Sequence, residues 1–367
     1  MLKLVMLAMV VAMLPLSWWW LRQRGASVRG RLAALTAITL FLTFDLIVFG
    51  AFTRLTDSGL GCPDWPGCYG EASPLDARAD IHAAQSAMPS GPVTAAKAWI
   101  EMIHRYLAMA VGALIVVAAA DGWLRRADLP HSPGWAAVTL AWVILQGLFG
   151  KYTVTLKLYP AIVTLHLLGA LVLLGLLVLQ HESFADRPLR LRVSRRAVGW
   201  VLALLLVQMA LGGWVSTNYA VLACKGFPAC NGEWWPAMDA GHGFTILREL
   251  GRAGHGGYLP FEALVAIHLA HRLFALVAAG ALLWLIARLW SDTGVVARRY
   301  AWAVLGLLLL QVATGLSNVV LDWPLVAALA HTGGAGAFCA VLTSLWARVG
   351  SGSGRMALAS AGDARAA

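Results

Sequence analysis

The sequence predicts an all-α polytopic membrane protein, built as two parallel-repeat four-helix transmembrane bundles with one extra N-terminal span. Three observations support this fold class. The 367 residues are 60% hydrophobic and only 13% charged, whereas soluble domains are about 25% charged. Apolar runs of about 20 residues, the length of a membrane-spanning helix, recur along the chain. The two halves also carry the same motifs in the same order.

The first apolar stretch, Leu4–Trp20, is predicted to be a retained N-terminal span. A signal peptide is the alternative. Against cleavage, only Lys3 precedes the stretch, and no clear small-x-small cleavage site follows it. The residues that follow are basic, namely Arg22, Arg24, Arg29 and Arg31. The positive-inside rule places these arginines in the cytoplasm and the N-terminus outside.

Eight further apolar stretches are each long enough to span a bilayer. They are Leu32–Phe52, Trp99–Trp123, Ala136–Val154, Ala161–Gln180, Ala197–Ser216, Leu264–Leu289, Tyr300–Val319 and Leu325–Ala347. Arginines cluster in the connections around residues 125–126, 187–196 and 288–299, so these connections are predicted to be cytoplasmic. The segments 53–98, 151–160, 217–263 and 321–324 then face out. The net charge of +10 is therefore an orientation signal and does not indicate nucleic-acid binding.

An internal repeat divides the chain into two halves. A shift of 162 residues places Gly50, Leu60, Cys62, Pro66 and Cys68 on Gly212, Leu222, Cys224, Pro228 and Cys230. A shift of 167 places His104-Arg105 on His271-Arg272, and a shift of 165 places Gln146, Gly150, His166 and Gly169 on Gln311, Gly315, His331 and Gly334. Four spans per repeat return the chain to the same side, so the repeats are parallel.

The predicted domains follow from this repeat. They are an N-terminal span with a cytoplasmic basic loop (1–31), an N-terminal bundle (32–182), a cytoplasmic linker (183–196), a C-terminal bundle (197–349) and a disordered tail rich in Gly, Ser and Ala (350–367).

Each predicted bundle carries two intramembrane histidines, His104 with His166 and His271 with His331. They lie on the second and fourth spans, which can face each other across a bundle. Facing histidines commonly hold a haem iron by both axial positions. One isolated histidine is more simply a hydrogen-bonded core residue, but four at repeat-related positions favour two haem sites.

Ionisable residues beside the histidines differ between the halves. Glu101 lies three residues before His104 on the same helical face, whereas the residue three before His271 is His268. Glu101 is predicted to position or deprotonate a group at its site, and a carboxylate near a helix N-terminus is the structural alternative. Three arginines, Arg105, Arg272 and more weakly Arg54, are candidate partners of haem propionates. Snorkelling to the headgroups is the alternative for them.

Four cysteines form two pairs in outward loops, in the sequences Cys62-PDWPG-Cys68 and Cys224-KGFPA-Cys230. An oxidising exterior favours a disulfide within each pair, either as a structural clip or as a pair that cycles between thiol and disulfide. A zinc site is disfavoured because the spacing is unlike that of a zinc module. The fifth cysteine, Cys339, lies in an apolar run and is expected to pack as a small hydrophobe.

Taken together, these motifs resemble the haem A synthase family. The resemblance covers about Phe44 to Ala347 and is carried by GAFTRLTDSGLGCPDWPGC, EMIHR with TLHLLG, and AHRLF with ALAHTGG. It implies an enzyme of the bacterial inner membrane that oxidises the C8 methyl of haem O to a formyl group, giving haem A for cytochrome oxidase. The family is usually described with eight spans, so the stretch Leu4–Trp20 departs from it.

The resemblance also implies roles for single residues. His104 and His166 would hold the substrate haem O, His271 and His331 would hold a haem b cofactor, and Glu101 matches the family's essential glutamate. The haem sites would lie toward the periplasmic side. Expected partners are haem O, membrane lipid, an electron acceptor, a haem O synthase as supplier and a second copy of the chain. Nucleic acid is not expected.

Four other functions compete with this one. A membrane b-type cytochrome for quinol-linked electron transfer also needs four helical histidines, but it usually places its haems near opposite faces. A non-enzymatic haem carrier would not need Glu101. A thiol oxidase built on the cysteine pairs leaves the histidines unexplained, and a transporter with parallel repeats would be expected to show broken helices.

Overall fold

The computed structural model describes residues 2–129, 134–185, 188–254 and 256–350. It is all-helical across these ranges. The helices are α1 (Leu2–Arg22), α2 (Val28–Leu55), α3 (Arg78–Ala87), α4 (Ala95–Leu124), α5 (Gly134–Thr155), α6 (Pro160–Ala185), α7 (Arg195–Thr217), α8 (Ala240–Gly243), α9 (Phe261–Trp290), α10 (Val295–Val320) and α11 (Leu325–Arg348). The predicted disordered tail lies outside the described residues from residue 351 onward.

Eight of these helices are long and apolar enough to cross a membrane: α2, α4, α5, α6, α7, α9, α10 and α11. They coincide with the eight stretches predicted after Leu4–Trp20, so the polytopic all-α fold class is confirmed. Large apolar side chains point outward from them, as at Trp200, Leu276 and Val326, which are more than 70% exposed. Apolar surfaces of this kind are favourable in contact with lipid and unfavourable in contact with water.

Seven of the eight spanning helices begin one to five residues before the predicted apolar stretches, and α11 begins at the predicted Leu325. Polar caps explain part of this difference. The side chains of Ser27, Thr94 and Ser194 accept hydrogen bonds from backbone N–H groups at the starts of α2, α4 and α7. A capped first turn is stable in the interfacial region although its residues are not apolar.

The N-terminal helix α1 packs mainly against α4. Near its start, Leu4 is buried in a cluster with Cys62 and Cys68. Near its end, the indole of Trp19 donates to the carbonyl of Arg31, just inside α2, at 2.8 Å. The two ends of α1 therefore lie at opposite ends of the N-terminal bundle. Its described apolar part, Met6–Arg22, is shorter than the eight spanning helices, so a ninth span stays a prediction.

The spanning helices form two rings of four. In the first ring α2 contacts α4, α4 contacts α5, α5 contacts α6 and α6 contacts α2; α7, α9, α10 and α11 repeat this order. The rings meet through α6 with α11, α2 with α11 and α6 with α7. Within each ring, the second and fourth helices are therefore diagonal. This arrangement fits the predicted pair of parallel bundles, and the domain bounds themselves stay a prediction.

One end of the molecule carries the two cysteine loops, 62–68 and 224–230, and is called the disulfide-loop end. Turns at this end repeat at the same shifts as the sequence motifs. Cys68 and Glu71 exchange two backbone hydrogen bonds of 2.9 and 3.0 Å, and Cys230 and Glu233 do the same. Positive φ angles recur at Tyr69 and Asn231, and again at Lys157 and Asp322. Two short helices in the long loops, α3 against α4 and α8 against α9, were not predicted.

Candidate functional site

The four predicted histidines lie on the diagonal helices of the two rings. His104 is on α4 and His166 on α6, while His271 is on α9 and His331 on α11. All four come seventh to eleventh in helices that start at the disulfide-loop end. Each ring therefore presents two imidazoles across its core, near the same end of the molecule.

A glycine from a neighbouring helix faces each imidazole. A Cβ built on the glycine would meet the Cε1 atom of the ring at 2.9 to 3.4 Å, which is a close approach. The pairs are Gly50 with His104, Gly150 with His166, Gly212 with His271, and Gly315 with His331. Each glycine leaves space for the imidazole that any side chain would fill. These four glycines form a glycine cradle around the imidazoles.

These features fit a haem held by two axial ligands. Imidazole is a common axial donor, and the glycine beside each ring leaves space next to all four imidazoles. Across the described ranges there is no cluster of three or more His, Cys, Asp or Glu side chains that could hold a metal ion directly. A haem needs two protein ligands only, because its porphyrin supplies the other four.

Glu101 is buried beneath the first cysteine loop, with 3% of its surface exposed. One carboxylate oxygen accepts the backbone N–H of Cys62 at 2.8 Å, and the other accepts a hydrogen bond from Arg105. Arg105 also donates to the carbonyls of Asp64 and Gly67 at 2.9 and 2.6 Å. Gly61 lies directly against the α4 backbone, which brings the loop within reach. The carboxylate is therefore fixed in orientation and compensated in charge.

The C-terminal half has a histidine where the N-terminal half has Glu101. The Nδ1 of His268 lies 2.9 Å from the carbonyl of Ala220, and its Nε2 accepts from Arg272 at 3.1 Å. Arg272 also donates to the carbonyls of Cys224 and Gly226 at 2.5 and 3.0 Å. Both halves thus use an arginine to hold the cysteine loop, but only the first half buries a carboxylate there.

Arg54 lies between the two bundles. It donates to the carbonyl of Ser216 at 2.7 Å, and its guanidinium lies 3.8 Å from the centre of the Tyr219 ring. The hydroxyl of Tyr219 donates to Asp57 at 2.7 Å, and Asp57 also pairs with Arg54 at 3.4 Å. All three predicted propionate partners, Arg54, Arg105 and Arg272, therefore have protein partners. Their binding to propionates stays a prediction.

Both cysteine pairs, Cys62 with Cys68 and Cys224 with Cys230, are disulfide-bonded. Each disulfide is buried and closes the loop that the arginine of its half clamps. Cys339 is a buried free thiol, as expected for a small apolar residue in a helix. Cycling between thiol and disulfide stays the alternative.

Sequence reasoning missed several polar residues, two of which lie beside the histidines. Gln208 and Thr314 lie within hydrogen-bond distance of His271 and His331. Arg248, in the outer loop, is 3% exposed and donates to Asn218 at 2.5 Å, and its Nε and Nη1 have no partner. Burial lowers the pKa of Arg248. Comparison of the two repeats would have identified Gln208 and Thr314, because their counterparts are Leu46 and Phe149. Arg248 had no such signal.

Comparison with known proteins gives consistent matches. The COX15-CtaA family, described as cytochrome oxidase assembly protein, matches residues 33–343. A protein of Shewanella oneidensis named Heme A synthase is 38% identical over 323 residues, which cover 86% of this chain and 96% of that protein. A protein of the same name from Caulobacter vibrioides is 30% identical and covers 85% of this chain and 95% of its own length. One from Halalkalibacterium halodurans is 27% identical, with 78% and 86% covered.

Proposed function

Because this chain belongs to the COX15-CtaA family of cytochrome oxidase assembly proteins, we propose that it synthesises haem A from haem O. The reaction oxidises the C8 methyl of haem O to a formyl group by successive hydroxylations, ending in a hydrated aldehyde that loses water, and an electron acceptor takes up the electrons that are removed. The enzyme is then an oxidoreductase of the bacterial inner membrane. It supplies haem A for the assembly of cytochrome oxidase.

The asymmetry between two otherwise similar histidine pairs is the observation that carries this proposal. Two equal haem sites would suit electron transfer. Here one half buries Glu101 three residues before its histidine, and the other half has His268 at that position. A carboxylate is useful where protons leave a carbon and its new oxygen. We therefore assign haem O to His104 and His166, and haem b to His271 and His331.

Glu101 is assigned the proton-handling role at the substrate site. Its two oxygens are held by Arg105 and by the backbone N–H of Cys62, so the carboxylate is oriented before substrate arrives. A pre-oriented group reacts without reorganisation. The bound haem b would supply one-electron chemistry. His271 and His331 would hold its iron, and the ring of α7, α9, α10 and α11 would keep water away from it.

The haem sites are assigned to the periplasmic side. All four histidines lie near the helix ends that carry the disulfide loops, and disulfides persist in an oxidising compartment. A haem O synthase in the same membrane would supply the substrate. The same placement argues against a b-type cytochrome that moves electrons across the membrane, because both of its haems would lie near one face.

Analysis of the bound haems tests this function. The protein is purified from cells that make haem O, its haems are extracted with acid, and each is identified by mass. Haem b together with haem O and haem A, in a ratio that changes in His104→Ala, is the expected result. Haem b alone, unchanged by haem O supply or by His104→Ala, would instead establish an electron-transfer cytochrome. Unmodified haem O bound without product would point to a carrier.

A further inference from the structure

The two histidine pairs differ in the hydrogen bonding of their rings. In the C-terminal half, the hydroxyl oxygen of Thr314 lies 3.0 Å from Nδ1 of His331. The same hydroxyl donates its hydrogen to the carbonyl of Leu310 at 2.7 Å, so its oxygen is left to accept. Nδ1 of His331 therefore carries the proton, and the lone pair of Nε2 is free for a metal.

Glutamines on neighbouring helices donate to the backbone of both C-terminal histidines. The amide of Gln208 lies 3.1 Å from Nδ1 of His271 and donates to the carbonyl of His271 at 3.2 Å. Gln311 donates to the carbonyl of His331 at 3.0 Å. The two glutamines thus hold the backbone of the C-terminal histidines, and Thr314 supplies an acceptor to Nδ1 of His331.

The N-terminal half lacks these contacts. Nδ1 of His104 and Nδ1 of His166 are buried without a partner. The repeat places Leu46 at the position of Gln208 and Phe149 at the position of Thr314, and neither side chain can accept a hydrogen bond. Gln146 is the counterpart of Gln311, and both atoms of its amide are buried without a partner.

From this difference we propose that Thr314 is a positioning residue that makes the C-terminal pair retain its haem. The N-terminal pair has no such partner and holds haem loosely enough to exchange it. The inference rests on the proposed function, in which a cofactor stays and a substrate leaves as product. A partner that fixes the tautomer and orientation of a ligating histidine is typically worth about 10- to 100-fold in metal affinity.

The test compares Thr314→Val with Thr314→Ser, which keeps the hydroxyl. Thr43→Val is the matched control, because Thr43 is buried in α2 and donates to the carbonyl four residues back at 2.7 Å, as Thr314 does. All variants carry His166→Ala, so only the C-terminal pair can supply two axial ligands. The protein is loaded with haem b alone. Haem transfer to excess apomyoglobin and the midpoint potential are then measured in detergent.

We expect Thr314→Val to release haem about tenfold faster, with Thr314→Ser and Thr43→Val close to the parent. The midpoint potential should rise in Thr314→Val, because an imidazole that loses its acceptor donates less electron density to ferric iron. Release and potential unchanged in Thr314→Val would overturn the positioning role. Haem release that is equally fast in Thr314→Ser and Thr314→Val would also overturn the positioning role, because Thr314→Ser keeps the hydroxyl.

The two proposals fail in distinguishable ways. Haem release and potential are measured with haem b and do not depend on haem A formation. A protein that makes no haem A but shows the predicted release would retain the positioning role and lose the proposed function. Normal haem A formation with unchanged haem release in Thr314→Val would retain the proposed function and overturn the positioning role. A purified protein that binds no haem would overturn both.

Discussion

The backbone N–H of Cys62 donates to the carboxylate of Glu101 at 2.8 Å, across 39 positions of the chain. This hydrogen bond joins the first disulfide loop to the helix that carries His104. In the second half, His268 stands in place of Glu101, and its Nδ1 lies 2.9 Å from the carbonyl of Ala220. The first disulfide loop therefore helps to hold Glu101, the proposed proton-handling group, in place.

Replacement of Glu101 by Gln separates haem binding from haem oxidation. The amide keeps the shape and can still accept from Cys62 N–H, but it cannot take a proton at neutral pH. We expect haem content near wild type and haem A formation lowered by at least about 100-fold, the usual contribution of a general base. The bound haems are identified by mass. Glu262→Gln, on an exposed side chain at the start of α9, is the control, and wild-type haem A output from Glu101→Gln would disprove the role.

Removal of the two disulfides is expected to have unequal effects. Cys62→Ser with Cys68→Ser loosens the loop that holds Glu101 and Arg105, whereas Cys224→Ser with Cys230→Ser loosens a loop that holds Arg272 and no carboxylate. Each pair of changes should cost about 2 kcal/mol of stability. Haem A formation should fall further in the double variant Cys62→Ser with Cys68→Ser. Equal activity in the two double variants, at equal haem content, would show that the loop does not support the reaction.

Substitution of Gly212 tests the glycine cradle. A Cβ at this position would lie 2.9 Å from Cε1 of His271, so Gly212→Ala must displace the ring. We expect a clear loss of bound haem b, measured by the absorbance of the pyridine haemochrome. Gly280→Ala in α9 has open space around it and should be neutral or stabilising by up to about 1 kcal/mol. Full haem content in Gly212→Ala would contradict the cradle.

The contact between the two bundles at Arg54 can be tested through stability. Arg54→Gln loses the bond to Ser216 and the stacking on Tyr219, while Tyr219→Phe loses only the bond to Asp57. Thermal unfolding in detergent should show a larger decrease in Tm for Arg54→Gln, and a loss of about 1 kcal/mol or less for Tyr219→Phe. Arg24→Gln, on an exposed side chain, is the control. Haem loss without a change in Tm would favour the predicted propionate role instead.

The sequence predicted the eight spans found in the structure, the repeat and the four candidate histidines, because each depends on local properties. Hydrophobicity over about 20 residues decides whether a helix can cross a bilayer, and a repeat is visible as recurring letters. The contrast between Glu101 and His268 was visible in the same way. The short helices α3 and α8 were missed because they lie in polar loops, where their stability depends on packing against α4 and α9.

The sequence by itself determined which residue types stand at equivalent places in the two halves. Only the tertiary structure decided their partners: Arg105 and Cys62 for Glu101, Ser216 and Tyr219 for Arg54, Thr314 for His331. The physical reason is that a buried polar group must find a partner. In a bundle that partner comes from a neighbouring helix or loop, whose distance along the chain carries no information about its distance in space.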